Sequence, residues 1–132
     1  MGEDGNVWEL KEGEKPYNIR HRAYYLAKEI VSYVKTCKYD RVFEGIFSQL
    51  VRSATSVGAN LVEAQSGSSE KDWRKFVIIA LKSANETLYW LCLVRDTLDA
   101  EKPKIAELIK ETDEIARIIA AILLNNSRNR PL

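Results

Sequence analysis

One histidine, His21, two cysteines, Cys37 and Cys92, and two carboxylates within otherwise apolar stretches, Glu63 and Glu86, are the side chains of this 132-residue chain best placed for acid–base, nucleophilic or metal chemistry. Their types and spacing argue against each. A lone histidine cannot build the paired Glu-x-x-His motifs of a di-iron bundle. The two cysteines lie far apart with no Cys or His at ligand spacing, which removes the usual zinc patterns. Neither a Gly-x-x-x-x-Gly-Lys phosphate loop nor a Gly-x-Gly-x-x-Gly turn occurs. A nucleophile needs a positioned base, and no acid stands at helical spacing from His21 to orient it. What remains for catalysis is a Glu63–Glu86 pair. The expectation is a non-enzymatic protein with no catalytic residue, no metal and no cofactor.

Three patterned stripes carry more information. At 100° per residue, Arg20, Lys28, Lys35 and Lys38 fall within about 80° of arc, with Tyr24 among them and Arg22 and His21 beside them. Residues 18–38 hold these five cations against Glu29 alone, in a chain whose 20 Lys plus Arg and 19 Asp plus Glu leave a formal charge of +1. The stripe reads either as a solvated face whose lysine stems cover the core edge or as a phosphate-binding strip, strengthened if an oligomer repeats it. In a second stripe, Gln49, Arg52, Ser56, Asn60 and Glu63 also share about 80° of arc, and Ser83 and Glu86 border the next apolar seam in the same way. Where two such stripes meet, Arg52 can pair with a carboxylate, and Asn60 and the serines can satisfy one another. The result is a specificity-giving polar network or, alternatively, a binding site. The third stripe places Ile78, Tyr89 and Leu93 in the arc that also carries Lys71, Arg74, Lys75, Lys82 and Asp96, with Ile79 and Trp90 at its edge. So many large apolar groups near one charged face read either as ordinary exposed hydrophobes or, the preferred reading, as a subunit interface.

These residues need helices to align them. With 45% hydrophobic and 30% charged residues, neither a disordered nor a collagenous chain fits. Only six glycines and three prolines interrupt the sequence, which leaves long uninterrupted stretches. Residues 1–17 have no helical period and five acids, and read as a flexible acidic tail in which Trp8 and Leu10 can dock. From Asn18, a good N-cap, Ile19, Ala23, Leu26, Ile30, Val34 and Cys37 define a first seam. Phe43, Phe47, Leu50, Ala54, Val57 and Leu61 define a second, ending near Gln65. After a Ser-Gly-Ser-Ser break with Ser69 as N-cap, Trp73 to Leu98 form a third seam. Pro103 opens a fourth, from Ile105 to Ile122. Residues 126–132 read as a frayed tail. The economical fold over 18–125 is all-α, an up-down-up-down antiparallel four-helix bundle, with a long coiled-coil hairpin as the alternative. Uncharged apolar runs such as Phe76–Leu81 fall far short of a bilayer span, so no membrane is expected. The start Met1-Gly-Glu-Asp-Gly is no secretory signal, so a cytoplasmic location with the cysteines as reduced core thiols is the default.

The stretch Gln49-Leu-Val-Arg52-Ser-Ala-Thr-Ser56-Val-Gly-Ala-Asn60-Leu-Val-Glu63-Ala64, followed by Trp73 to Phe76 and Ala80-Leu-Lys-Ser83-Ala-Asn-Glu86-Thr-Leu-Tyr-Trp-Leu, resembles the bacterial four-helix-bundle family known as the 23S rRNA intervening-sequence proteins. The family pattern is matched at Arg52, Ser56, Asn60, Glu63, Phe76, Ser83 and Glu86, and the resemblance extends over roughly residues 18–125. One departure is Ala64, where the family commonly has Gly, so the second helix need not break after Glu63. The resemblance implies a four-helix fold, assembly with itself as a homo-oligomer, often a pentamer, and no known catalysis. Relatives that serve as accessory proteins of diversity-generating retroelements use a basic pentameric barrel to bind nucleic acid and a reverse transcriptase. RNA or a nucleic-acid-processing protein is therefore the expected partner, through Arg20, Arg22, Lys28, Lys35 and Lys38. The alternative is a protein-binding or structural assembly without nucleic-acid affinity.

Overall fold

Two of the four helices begin where a side chain caps the open N-terminus. In the computed structural model, which describes residues 7–10, 18–67, 69–99 and 102–125, the element order is α1 (Ile19–Thr36), α2 (Phe43–Ser66), α3 (Glu70–Thr97) and α4 (Lys102–Asn125). Asn18 caps α1, its side-chain oxygen accepting from the His21 N–H at 2.9 Å. Ser69 caps α3 by accepting from the Asp72 N–H at 3.1 Å, and Glu70 and Asp72 set negative charge against the helix N-terminus. The last turn of α3 is finished by α4, whose first residue, Lys102, donates from Nζ to the carbonyls of Arg95 and of Leu98. α2 continues through Ala64 to Ser66, as expected from the absence of a glycine there.

The helices pack in ring order, α1 on α2, α2 on α3, α3 on α4 and α4 back on α1, with the α2–α3 interface the most extensive. This is the up-down-up-down bundle, and no strand occurs among the described residues. All eight expected α3 seam residues are buried, from Trp73 to Leu98, and so are all six of α4, from Ile105 to Ile122. The α1 seam differs at its end, where Tyr33 is buried and Val34 and Cys37 lie only partly against the core. Cys37 and Cys92 are free and half-buried, at the rim of the core and not within it. By length and composition α3 is the one described helix that could cross a membrane, but its apolar seam is spent on α2 and α4.

The acidic tail expected over 1–17 lies mostly outside the described residues, and the frayed tail 126–132 lies wholly outside them. Within the tail, residues 7–10 do dock. The Trp8 carbonyl accepts from Tyr25 Oη at 2.7 Å and from His21 Nε2 at 2.8 Å, and the Leu10 N–H donates to Tyr25 Oη at 3.1 Å. The Trp8 ring stacks on Tyr24, with centroids 4.9 Å apart and planes 11° from parallel. His21 is therefore a buried structural histidine that holds the incoming chain against α1.

Candidate functional site

The polar stripes of α2 and α3 meet along the interface those helices share. Buried small residues on both sides, Ser53 and Ala54 against Ser83 and Ala84, leave room for side chains to bond across. Arg52 Nη2 pairs with Glu86 Oε2, Arg52 Nε donates to Gln49 Oε1 at 2.9 Å, and Trp90 Nε1 donates to the same Glu86 oxygen at 2.9 Å. One turn along, the hydroxyls of Ser56 and Ser83 lie 2.9 Å apart, and Asn60 Nδ2 reaches the Ser56 carbonyl at 2.8 Å and its hydroxyl at 2.9 Å. Deeper in the interface the Thr87 hydroxyl sits 2.9 Å from Ser53 Oγ and 2.7 Å from the Ser83 carbonyl, while Ser53 donates to the Leu50 carbonyl at 3.2 Å. The arrangement satisfies nearly every polar atom it buries, as a network that fixes helix register must.

Glu63 departs from the expected stripe. It is exposed and bonds to no described residue, because its position on α2 projects beyond the packed strip that Asn60 still borders. Glu86 is engaged by Arg52 and Trp90, and among the described residues no hydrogen bond joins it to Glu63. Among the described residues no cluster of three or more His, Cys, Asp or Glu could hold a metal ion.

The basic stripe of α1 divides in two. Arg22 turns toward α4, donating from Nη2 to Glu111 Oε1 at 2.6 Å and from Nε to Glu111 Oε2 at 3.1 Å, with Glu114 at 3.2 Å. Hydrogen bonding to Glu111 raises its already high pKa, against a partial opposing effect of burial. Arg22 is thereby neutralised and withdrawn from the nucleic-acid stripe in which the sequence placed it; the partner that captures it comes from the far end of the chain. Glu29, the single acid of α1, also faces α4 and meets Lys104 Nζ at 3.1 Å. Lys38 is likewise set apart. The helix ends at Thr36, Cys37 is extended (φ −73°, ψ 134°), and Lys38 is an exposed loop residue that does not continue the helical arc.

Arg20, Lys28 and Lys35 stay together. They line one groove of about 520 Å³ between α1 and α2, with Trp8 and Tyr24 at one end. Its floor is Ala23, Ala27 and Val31 of α1 against Thr55, Gly58, Ala59 and Val62 of α2. None of the three cations meets a carboxylate among the described residues, whereas the α4 side of the same helix carries all three of its described ion pairs. A Cβ built on Gly58 would lie 3.5 Å from Ala23 Cβ and 3.6 Å from the Tyr24 nitrogen, so the helices approach closely beneath the groove. The α2 wall was missed in the sequence. Its signal is the run of small or short side chains at 55, 58, 59 and 62, on the face away from the polar stripe.

The third stripe is partly spent on the bundle. Trp90 packs against the core and Ile79 and Leu93 are half-buried, while Ile78 is 36% and Tyr89 61% exposed. Tyr89 and Trp90 meet edge to face at 5.0 Å, and Ile78 and Tyr89 lie open on the same side of α3, about 16 Å apart along the helix.

A ring-ordered four-helix bundle stitched by an Arg-Ser-Asn to Ser-Glu seam between its two best-packed helices is the class of protein defined here. The chain belongs to the 23S rRNA-intervening sequence protein family, whose sequence profile matches residues 15–121. Among solved structures it is similar to a protein of unknown function from the S23 ribosomal protein family of Bacteroides thetaiotaomicron VPI-5482. That similarity has a TM-score of 0.71 and 30% identity, over 80% of this chain and 97% of the other. No curated protein matches the chain.

Proposed function

We propose that the protein is a cytoplasmic, non-enzymatic homo-oligomer, a pentamer by its family resemblance, that binds RNA through α1 grooves repeated around the assembly. The observation that carries this reading is the sorting of charge on α1. Every described ion pair of the helix lies on the α4 side, and Arg20, Lys28 and Lys35 face a groove with no opposing acid. Three cations are too few for tight binding by one subunit, but a symmetric assembly offers the same three several times to one phosphate backbone. The side of α3 that carries Ile78 and Tyr89 is the surface for self-association, since apolar groups gathered on a face tend to be covered.

The test combines mass and salt dependence. Light scattering at micromolar concentration should give a multiple of the 15.1 kDa chain, and a charged residue at Ile78 or Leu93 should dissociate it more than one at exposed Lys110. Fluorescence anisotropy with a labelled rRNA hairpin should show affinity falling with salt, with a log–log slope of about −0.7 per phosphate contacted on single-stranded segments. Replacing Arg20, Lys28 and Lys35 by Gln should weaken binding similarly for all sequences, because phosphate contacts position without specifying. Absence of binding even at low salt would leave a purely protein-binding or structural assembly as the account.

A further inference from the structure

The groove between α1 and α2 is built for more than phosphates. Cations on a smooth, solvated face would suffice for a duplex, whose bases are paired and stacked out of reach and which offers a protein mainly sugar, phosphate and groove edges. Here the cations rim a recess with an apolar floor, Ala23, Ala27, Ala59 and Val62, closed at one end by two stacked aromatic rings. Arg20 lines the groove, and its Nε is shielded from solvent without a hydrogen-bond partner among the described residues. A buried donor left in that state is costly until an acceptor arrives.

We infer that this groove takes unpaired nucleotides, with the phosphates on Arg20, Lys28 and Lys35 and a base added to the Trp8–Tyr24 stack above the apolar floor. The inference rests on the nucleic-acid reading above and narrows it to single strands. An anionic backbone carrying flat apolar bases matches each part of the recess: the unopposed positive rim, the alanine and valine floor and the aromatic end. From Arg20 to Lys35 the helix runs about 22 Å, enough for a short stretch of extended chain. Stacking on aromatic rings beside a positive groove is how proteins hold single strands without regard to sequence.

The test compares a fluorescein-labelled oligouridylate of about 12 nucleotides with the same strand annealed to its complement, by anisotropy at low salt. The single strand should bind about tenfold or more tightly than the duplex. Tyr24→Ala should weaken single-strand binding by about 5- to 150-fold, the range expected for one lost stacking contact. It should leave duplex binding unchanged, and Tyr24→Phe should keep wild-type affinity. Equal affinity for the two forms, no loss in Tyr24→Ala, or an equal loss for both forms would overturn the single-strand assignment while leaving phosphate binding intact. Failure of both forms to bind would overturn both.

Discussion

Thr87 is fully buried, and its hydroxyl sits 2.9 Å from Ser53 Oγ across the α2–α3 interface and 2.7 Å from the Ser83 carbonyl. Thr87→Val keeps the shape and replaces that hydroxyl with a methyl group. One proton serves one acceptor at a time, so the loss is one hydrogen bond, about 0.5–1.5 kcal/mol, and not two. Ser53 keeps its 3.2 Å bond to the Leu50 carbonyl, so no orphaned donor adds to the cost. Ser53→Ala removes that longer bond but leaves Thr87 its carbonyl acceptor, and should cost less than about 1 kcal/mol. Either single variant breaks the bond between the two hydroxyls, and that bond cannot be lost twice. The double variant should therefore cost less than the sum of the singles by about 0.5 kcal/mol or more, the signature of residues in one network. Urea unfolding of the four proteins measures this directly, with an unchanged m-value as the check that only stability has moved. Strict additivity, or a Thr87→Val variant as stable as the parent, would refute the claim that the seam is energetically a network.

Asn60→Ala should cost about 0.5–1.5 kcal/mol, whereas Glu63→Ala should fall within about 0.5 kcal/mol of zero, a contrast that denaturant unfolding resolves. Gly58→Ala should stabilise by roughly 0.5–1 kcal/mol, because the added Cβ meets Ala23 at ordinary contact distance while α2 loses an interior glycine; a lowered midpoint in thermal unfolding would show that the α1–α2 approach tolerates no methyl group. Arg22→Gln should cost about 1 kcal/mol, a value held low by the partial exposure of its partners, and should leave RNA affinity unchanged where Lys35→Gln reduces it. Since the folded-state pKa of Arg22 is raised above its unfolded value, its contribution is complete below the unfolded pKa and lost only as pH rises through the higher folded one. The difference between Arg22→Gln and parent should accordingly stay flat from about pH 6 to 9, well below the unfolded arginine value.

Periodicity exposed the four seams because each helix buries one strip, and the rule holds even for Thr87 and Thr112, polar residues in fully buried positions. The polar seam was legible for the same reason. Arg52, Ser56 and Asn60 border one strip, Ser83 and Glu86 border the next, and short connections make consecutive helices neighbours. The fate of Arg22 was not legible, since Glu111 and Glu114 become its neighbours only when the chain closes the ring from α4 to α1. Lys38 shares the 100° arc only by extrapolation, since the first seam already ends at Cys37 and a turn is read from Lys38 to Asp40; α1 stops at Thr36. The groove escaped notice because it belongs to two helices at once. On α1 its floor looks like the margin of the seam, and on α2 like a run of unremarkable small residues.

The same small residues set where the bundle is weakest. α1 packs less extensively on its neighbours than the other helices do, with Gly58 of α2 closely approached by Ala23, whereas α2 and α3 share a broader interface with its own hydrogen bonds. Local opening draws on the least-buried contacts first, so α1 is the helix whose amides should exchange with solvent deuterium soonest. One wall of the groove thus lies on the part of the molecule that breathes, and the other on the part that does not. Anything that grips both walls would hold α1 closed, and its arrival would register as slowed exchange along Ile19–Thr36 while α2 and α3 stayed as they were.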